Sequence, residues 1–169
     1  LNADADSFDA MAANRLEPEI YSLRSLHEFA AAVERYGEQR YPIHVKLDTG
    51  MHRLGFVEEE LPALLDALAR CGRTVRVASV FAHLCTSDDP AQDDFTRLQI
   101  ARFDRMSSRI AEALPYPVLR HTANSAAIER FPEAQYDMCR LGLGLYGFGF
   151  EHNAALRPVS TLRTRIVQI

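Results

Sequence analysis

Short apolar runs of strand length alternate with amphipathic segments of helical period along almost the whole chain, and that alternation leaves few folds open. Residues 18–22 (PEIYS) read as a short strand. Ser22 or Ser25 then starts a helix: Ser25 and Glu28 are spaced as a capping box, Leu26, Phe29, Ala30 and Val33 share a face, and Gly37 ends it. A strand over 44–48 precedes a helix over 58–71, which has acids in its first turn and Leu61, Leu64, Leu65 and Leu68 on one side. Residues 75–83 read as a strand, 95–114 as a long helix, 118–122 as a strand and 124–130 as a short helix stopped by Pro132. A fifth strand over 137–141 runs into a glycine-rich turn. Repeated strand–helix–strand units imply parallel pairing, because parallel neighbours need a crossover between them.

Such units build either an open doubly wound sheet or part of an eight-stranded barrel. No GxGxxG or P-loop follows the first strand, which removes weight from the nucleotide-binding open sheets. Polar residues gather instead at successive strand ends, as they do on the rim of a barrel. A complete barrel takes about 250 residues, so this chain of 169 is read as a partial one. The expected fold is α/β: about strands 4–8 of a (β/α)8 TIM barrel over residues 1–157, with 158–169 opening a C-terminal β domain after Arg157-Pro158. Leu1 is no initiator, Leu1-Asn2 before ADADS reads as the tail of a strand entering a loop, and residues 160–169 (STLRTRIVQI) read as a strand without a following turn, so both ends look cut.

A formal charge of −4 with interspersed signs supplies no basic stripe for nucleic acid or anionic membrane. No apolar run approaches the ~20 residues of a membrane span, and no signal-peptide pattern opens the chain. Three cysteines, Cys71, Cys85 and Cys139, lack CxxC spacing and read as buried or incidental thiols in a cytoplasmic protein.

The strand ends carry the chemistry. Lys46, Asp48 and Arg53 fall in KLDTGMHRLGF, where a buried strand breaks into a glycine-pivoted loop. Charges on a buried strand are costly unless paired or used, so they mark a site. His83 follows the next apolar run, and His121, Asn124 and Ser125 the one after. A hydroxyl and free amides where a strand gives way to a helix suit a phosphate, although Asn124 also reads simply as an N-cap. The turn after Arg140, with Gly142 and Leu143, offers more free amides, and phosphate sites on barrels favour the last two strand loops. Arg140 stands inside an apolar strand, where a donor-only cation must find acceptors; Asp137 is one candidate. Two histidines and Lys46 also suggest a metal-dependent barrel hydrolase, but Arg140 at the matching position would repel a metal, and neither HxH nor HExxH is present.

KLDTGMHRLGF, FAHLCTSDDP, HTANSAA and RLGLGLYG together resemble the barrel domain of alanine racemase, in order and over nearly the whole chain. LEPEIYS with TGMHRLGF is most similar to members fused behind a cell-wall peptide ligase. His52 stands where many members carry glycine. The resemblance implies a homodimeric pyridoxal 5'-phosphate enzyme interconverting L- and D-alanine for peptidoglycan. It implies that Arg53 contacts the cofactor's phenolic oxygen and the substrate carboxylate. Lys46 would be the carboxylated lysine that holds Arg53, with Asp48 in support. His83 would lie against the pyridine ring, and His121 would hydrogen-bond Arg140, which faces the pyridine nitrogen. Asn124, Ser125 and the amides of Gly142 and Leu143 would hold the phosphate. A permanent cation facing that nitrogen keeps it unprotonated and the ring a weaker electron sink, which suits racemisation over transamination.

The family's Schiff-base lysine and second-base tyrosine have no counterpart here, so the catalytic set in this chain is expected to be empty and the chain alone inactive. The other readings are a non-catalytic pyridoxal phosphate carrier on the same barrel and the metal hydrolase. Neither a nucleic acid nor a membrane is expected as a partner, and poor solubility or association of the isolated chain follows from open sheet edges.

Overall fold

Four short strands, each carried forward by a helix, lie side by side in the order of the chain. The computed structural model describes residues 3–150, 153, 155–161 and 163–168. A first helix α1 (Phe8–Ala13) leads to β1 (Glu19–Ile20), α2 (Leu23–Arg35), β2 (Tyr41–Lys46) and α3 (Leu61–Arg70). Then come β3 (Val75–Phe81), α4 (Asp93–Ala113), β4 (Leu119–His121) and α5 (Ser125–Arg130). Every strand pair is parallel, and the order β1-β2-β3-β4 never reverses. A doubly wound sheet reverses at its switch point. A wall that advances one strand at a time is part of a TIM barrel.

The two faces of this wall differ in chemistry. Ile20, Val45 and Val80 share one face, are fully buried and pack with Leu26, Phe29, Leu61, Leu64 and Phe103 of the outer helices. The opposite, barrel-interior face carries Glu19, His44 and Ser79 in one row and Lys46, Phe81 and His121 in the next. The pairing steps from Ile43↔Val77 to His44↔Ser79, so Ala78 is an extra residue that turns Ser79 to the interior. A smaller cluster, Leu84, Ile100, Ala123, Ala127, Phe131 and Ala134, fixes α5 under the end of β4.

Four details differ from the sequence reading. α1 forms in the polar opening because Phe8 and Ala12 are buried, with Phe8 edge-on to Phe29. Ser22, not Ser25, caps α2: the Ser22 hydroxyl accepts from the Ser25 amide at 3.1 Å and the Ser25 hydroxyl from the Ser22 amide at 3.1 Å. Residues 137–141 form no strand. Among the described residues two backbone bonds tie them to the β4 region, Asp137 N–H to Arg120 and Arg140 N–H to Ala123, too few for a ladder, and Met138 and Leu141 are 41% and 55% exposed. The described residues of 160–169 likewise form no strand, because none pairs with another segment; Ile166 and Val167 are exposed. The reading of Leu1 and Asn2 as a strand tail lies outside the described residues.

Candidate functional site

β2 delivers Lys46 at its last residue, where the side chain is 5% exposed and its ammonium lies 4.9 Å from the Phe81 ring centre. Burial lowers its pKa; Glu19 opposes this, while Arg140 and Arg53 add to it. Beyond the strand, Leu47 bridges Phe56, with Asp48 N–H donating to Phe56 O and Phe56 N–H to Lys46 O, each at 2.9 Å. These bonds close the 48–55 loop. Asp48 serves inside it: its carboxylate accepts from Gly50 N–H (2.9 Å), His52 N–H (3.0 Å) and His52 Nδ1–H (3.1 Å). Burial pushes the Asp48 carboxyl up, but the two amides and His52 outweigh it and hold it below its ordinary value. Arg53 is exposed on the loop and makes no side-chain hydrogen bond among the described residues. No hydrogen bond joins it to Lys46, as expected of two cations.

β3 delivers His83 two residues past its end. Burial, then the Lys46, Arg140 and Arg53 charges, push the His83 pKa down to about 4. The ring is neutral at pH 7. Gln99 on α4 steadies the loop, donating to His83 O at 3.4 Å and accepting from Cys85 N–H at 3.2 Å.

β4 ends in His121, 4% exposed and stacked on Phe81 with centres 5.0 Å apart and planes 7° from parallel. Arg140 reaches it from the following segment: Nη1 donates to His121 Nδ1 at 2.6 Å and to His121 O at 3.3 Å, and Nη2 to Ala82 O at 2.6 Å and Thr122 O at 3.3 Å. Asp137 is not its partner; that carboxylate accepts from Arg120 N–H at 2.8 Å. Burial lowers the Arg140 pKa, with Glu19 opposing. Burial and then the Arg140 charge take His121 down to about 4, which makes Nδ1 an acceptor. The Thr122 hydroxyl beside it is buried with no hydrogen-bond partner among the described residues.

Asn124 is an N-cap: Oδ1 accepts from Ala127 N–H (3.0 Å) and Ser87 O–H (2.8 Å), and Nδ2 donates to Leu84 O (2.9 Å). It ties the β3 and β4 loops together and has little left for a ligand. Ser125 Oγ accepts from Gly142 N–H at 2.9 Å and Gly144 N–H at 3.0 Å, so the Gly142 amide is engaged. The Leu143 amide donates to no acceptor among the described residues.

His83, Leu84, Cys85, Asp88, Asn124, Ser125, Ala126, Gly142 and Leu143 line one cavity of about 330 Å³. A cavity of about 360 Å³ beside the start of α2 is lined by none of these residues. The sequence-derived residues thus fall into three groups: an interior of two cations, Lys46 and Arg140, with the neutral His121; the amide- and hydroxyl-lined cavity; and the 48–55 loop with Asp48 inside it and Arg53 exposed on it. No group of three or more His, Cys, Asp or Glu among the described residues is placed to hold a metal ion. Phe81, Ser79 and His44 were missed. For Ser79 and Phe81 the signal is the slip from alternation at Val75 and Val77 to Val80 and Ala82, which a single strand shows without saying why; it does not bear on His44, which lies on β2.

The family described as alanine racemase, N-terminal domain, matches residues 1–149. An alanine racemase of Symbiobacterium thermophilum is 40% identical over 73% of this chain and 33% of its own length. One of Synechocystis sp. is 37% identical over 97% and 44%. The chain therefore spans between a third and a half of such relatives. Among solved structures, alanine racemase from Streptomyces coelicolor A3(2) superposes with a TM-score of 0.81 at 26% identity, covering 90% of this chain and 42% of that one. The enzyme of Clostridium difficile 630 gives 0.78 at 28% identity over 87% and 38%.

Proposed function

Because the chain belongs to the alanine racemase N-terminal domain family, we propose that it is the part of a barrel that holds pyridoxal 5'-phosphate in an enzyme interconverting L- and D-alanine. The observation that carries this reading is the Arg140 guanidinium, half-buried and donating to the neutral His121 ring and the Ala82 carbonyl. The donor set fits the group: cations for an anionic ligand, a neutral His83 for an aromatic face, and the Ser125 hydroxyl with the Leu143 amide for a phosphate.

When bound, pyridoxal phosphate acidifies the Cα–H of an amino acid by accepting its electrons. Arg140 donates and never accepts, so a ring nitrogen facing it stays unprotonated. Arg53, without a side-chain hydrogen bond among the described residues, is placed to receive the carboxylate of alanine. Lys46, a buried ammonium or its carboxylated form, sets the charge beneath Arg53. No residue in this chain is assigned to move the Cα proton. Leu143, Leu145, Tyr146 and Phe148 are 69%, 63%, 52% and 56% exposed, which fits burial against a second subunit or a further domain. We assign residues 158–169 to the start of a C-terminal β domain and the complete protein to a cytoplasmic homodimer.

The test uses the complete polypeptide: an absorbance spectrum before and after borohydride, and an assay for D-alanine from L-alanine. A near-visible band that borohydride bleaches, with D-alanine formed, supports the reading. A bleached band without racemisation assigns a carrier instead, and no band refutes cofactor binding.

A further inference from the structure

His121 binds Arg140 through one ring nitrogen, and its other nitrogen opens a line of bonds running down the barrel interior. His121 Nε2 lies 3.0 Å from Ser79 Oγ, Ser79 Oγ 2.6 Å from His44 Nδ1, and His44 Nε2 2.7 Å from Glu17 Oε2. The first link is buried, while the His44 and Glu17 side chains are 31% and 45% exposed, so the line runs from the core to solvent. Its two ends have fixed roles. Arg140 can only donate, and an ionised Glu17 can only accept.

With the ends fixed and one hydrogen on each ring, each proton between them has one place. Nδ1 of His121 accepts from Arg140, so Nε2 carries the hydrogen and donates to Ser79. Ser79 has one hydroxyl proton and gives it to His44 Nδ1. His44 then carries its hydrogen on Nε2 and donates to Glu17. The bulge at Ala78 makes this possible by turning Ser79 to the face that holds His44 and His121.

We propose that Glu17, His44 and Ser79 are positioning residues that lock His121 in one tautomer and orientation, and through it hold the Arg140 guanidinium toward the cofactor ring. Orienting partners of a histidine contribute on the order of tenfold or more to the group it serves. The catalytic consequence rests on the racemase reading; the line of bonds does not.

The experiment is nitrogen-15 spectroscopy of the complete polypeptide labelled at histidine, read without reference to activity. Wild type is expected to show the hydrogen on Nε2 of both His121 and His44, with the His121 proton slow to exchange. Ser79→Ala is expected to expose that proton to exchange, and Ser79→Thr, which keeps the hydroxyl, to restore it. Glu17→Ala, a change at an exposed position that keeps the fold, is expected to leave His44 as a mixture of tautomers. A His44 that carries its hydrogen on Nδ1 in wild type, or one unchanged by Glu17→Ala, overturns the proposal. In the cofactor-loaded protein, Ser79→Ala should lower kcat on the order of tenfold, the scale for a lost orienting partner, with KM little changed; an unchanged kcat overturns the positioning role. If the nitrogen signals behave as expected but no form racemises alanine, the bond line stands and the racemase reading falls.

Discussion

At the scale of single residues, the site works by keeping histidines neutral among cations. His83 and His121 ordinarily titrate near 6.5, and burial followed by the Lys46 and Arg140 charges takes both to about 4. In the unfolded chain both rings take up protons as pH falls through 6.5; in the folded chain they resist until about 4. The unfolded state therefore binds more protons across that window, and stability is complete above it and lost as pH descends through it. The urea midpoint of unfolding should hold at and above pH 7 and fall between 6.5 and 4, with a shallower fall in His83→Asn. A midpoint flat across the window would contradict the assignment. Both histidines were legible in the sequence as strand-end residues. Their protonation was not, because it depends first on burial by the surrounding packing and then on cations brought in from other segments, Lys46 and Arg140.

At the scale of the element, the 48–55 loop is held by backbone geometry as much as by Asp48. Gly55 has φ +125°, and a Cβ there would meet Asp48 N and Leu47 C at 2.6 Å, where the backbone just past β2 leaves no room to yield. Gly55→Ala should cost at least about 1–3 kcal/mol in thermal or urea unfolding, the scale for a strained backbone position, and should displace Arg53. Gly72→Ala is the control: its nearest contacts are 3.4 Å away, and it should change stability little. His52 sits at φ +54°, a conformation that histidine tolerates better than most residues. Its bond to Asp48 gives a reason for it at a place where glycine would be unstrained. The motif was visible as a glycine-pivoted turn after a strand. That Gly55 packs on the strand it leaves was not, since the contact is made by Phe56 folding back on Leu47.

At the scale of the whole molecule, four parallel strands leave apolar surface uncovered. Leu141, Leu143, Leu145, Tyr146 and Phe148 are each more than half exposed, and Val159, Ile166 and Val167 are 72%, 80% and 95% exposed. The isolated 169-residue chain should therefore self-associate. Light scattering should show concentration-dependent growth, and a monodisperse monomer would contradict this. The parallel α/β class and the positions of Lys46, His83, His121, Ser125 and Arg140 at the ends of successive apolar segments were determined by sequence alone, because strand and helix period and the cost of a buried charge are local properties. The fifth strand was misread for the same reason: an apolar run shows that a segment seeks burial, not that a partner covers it. Only the tertiary structure decided that Asn124 spends its side chain on capping, that Arg140 answers to His121 rather than Asp137, and that a bulge brings Ser79 between two histidines. Those outcomes depend on the register between segments dozens of residues apart, and register is set by how the strands pack together.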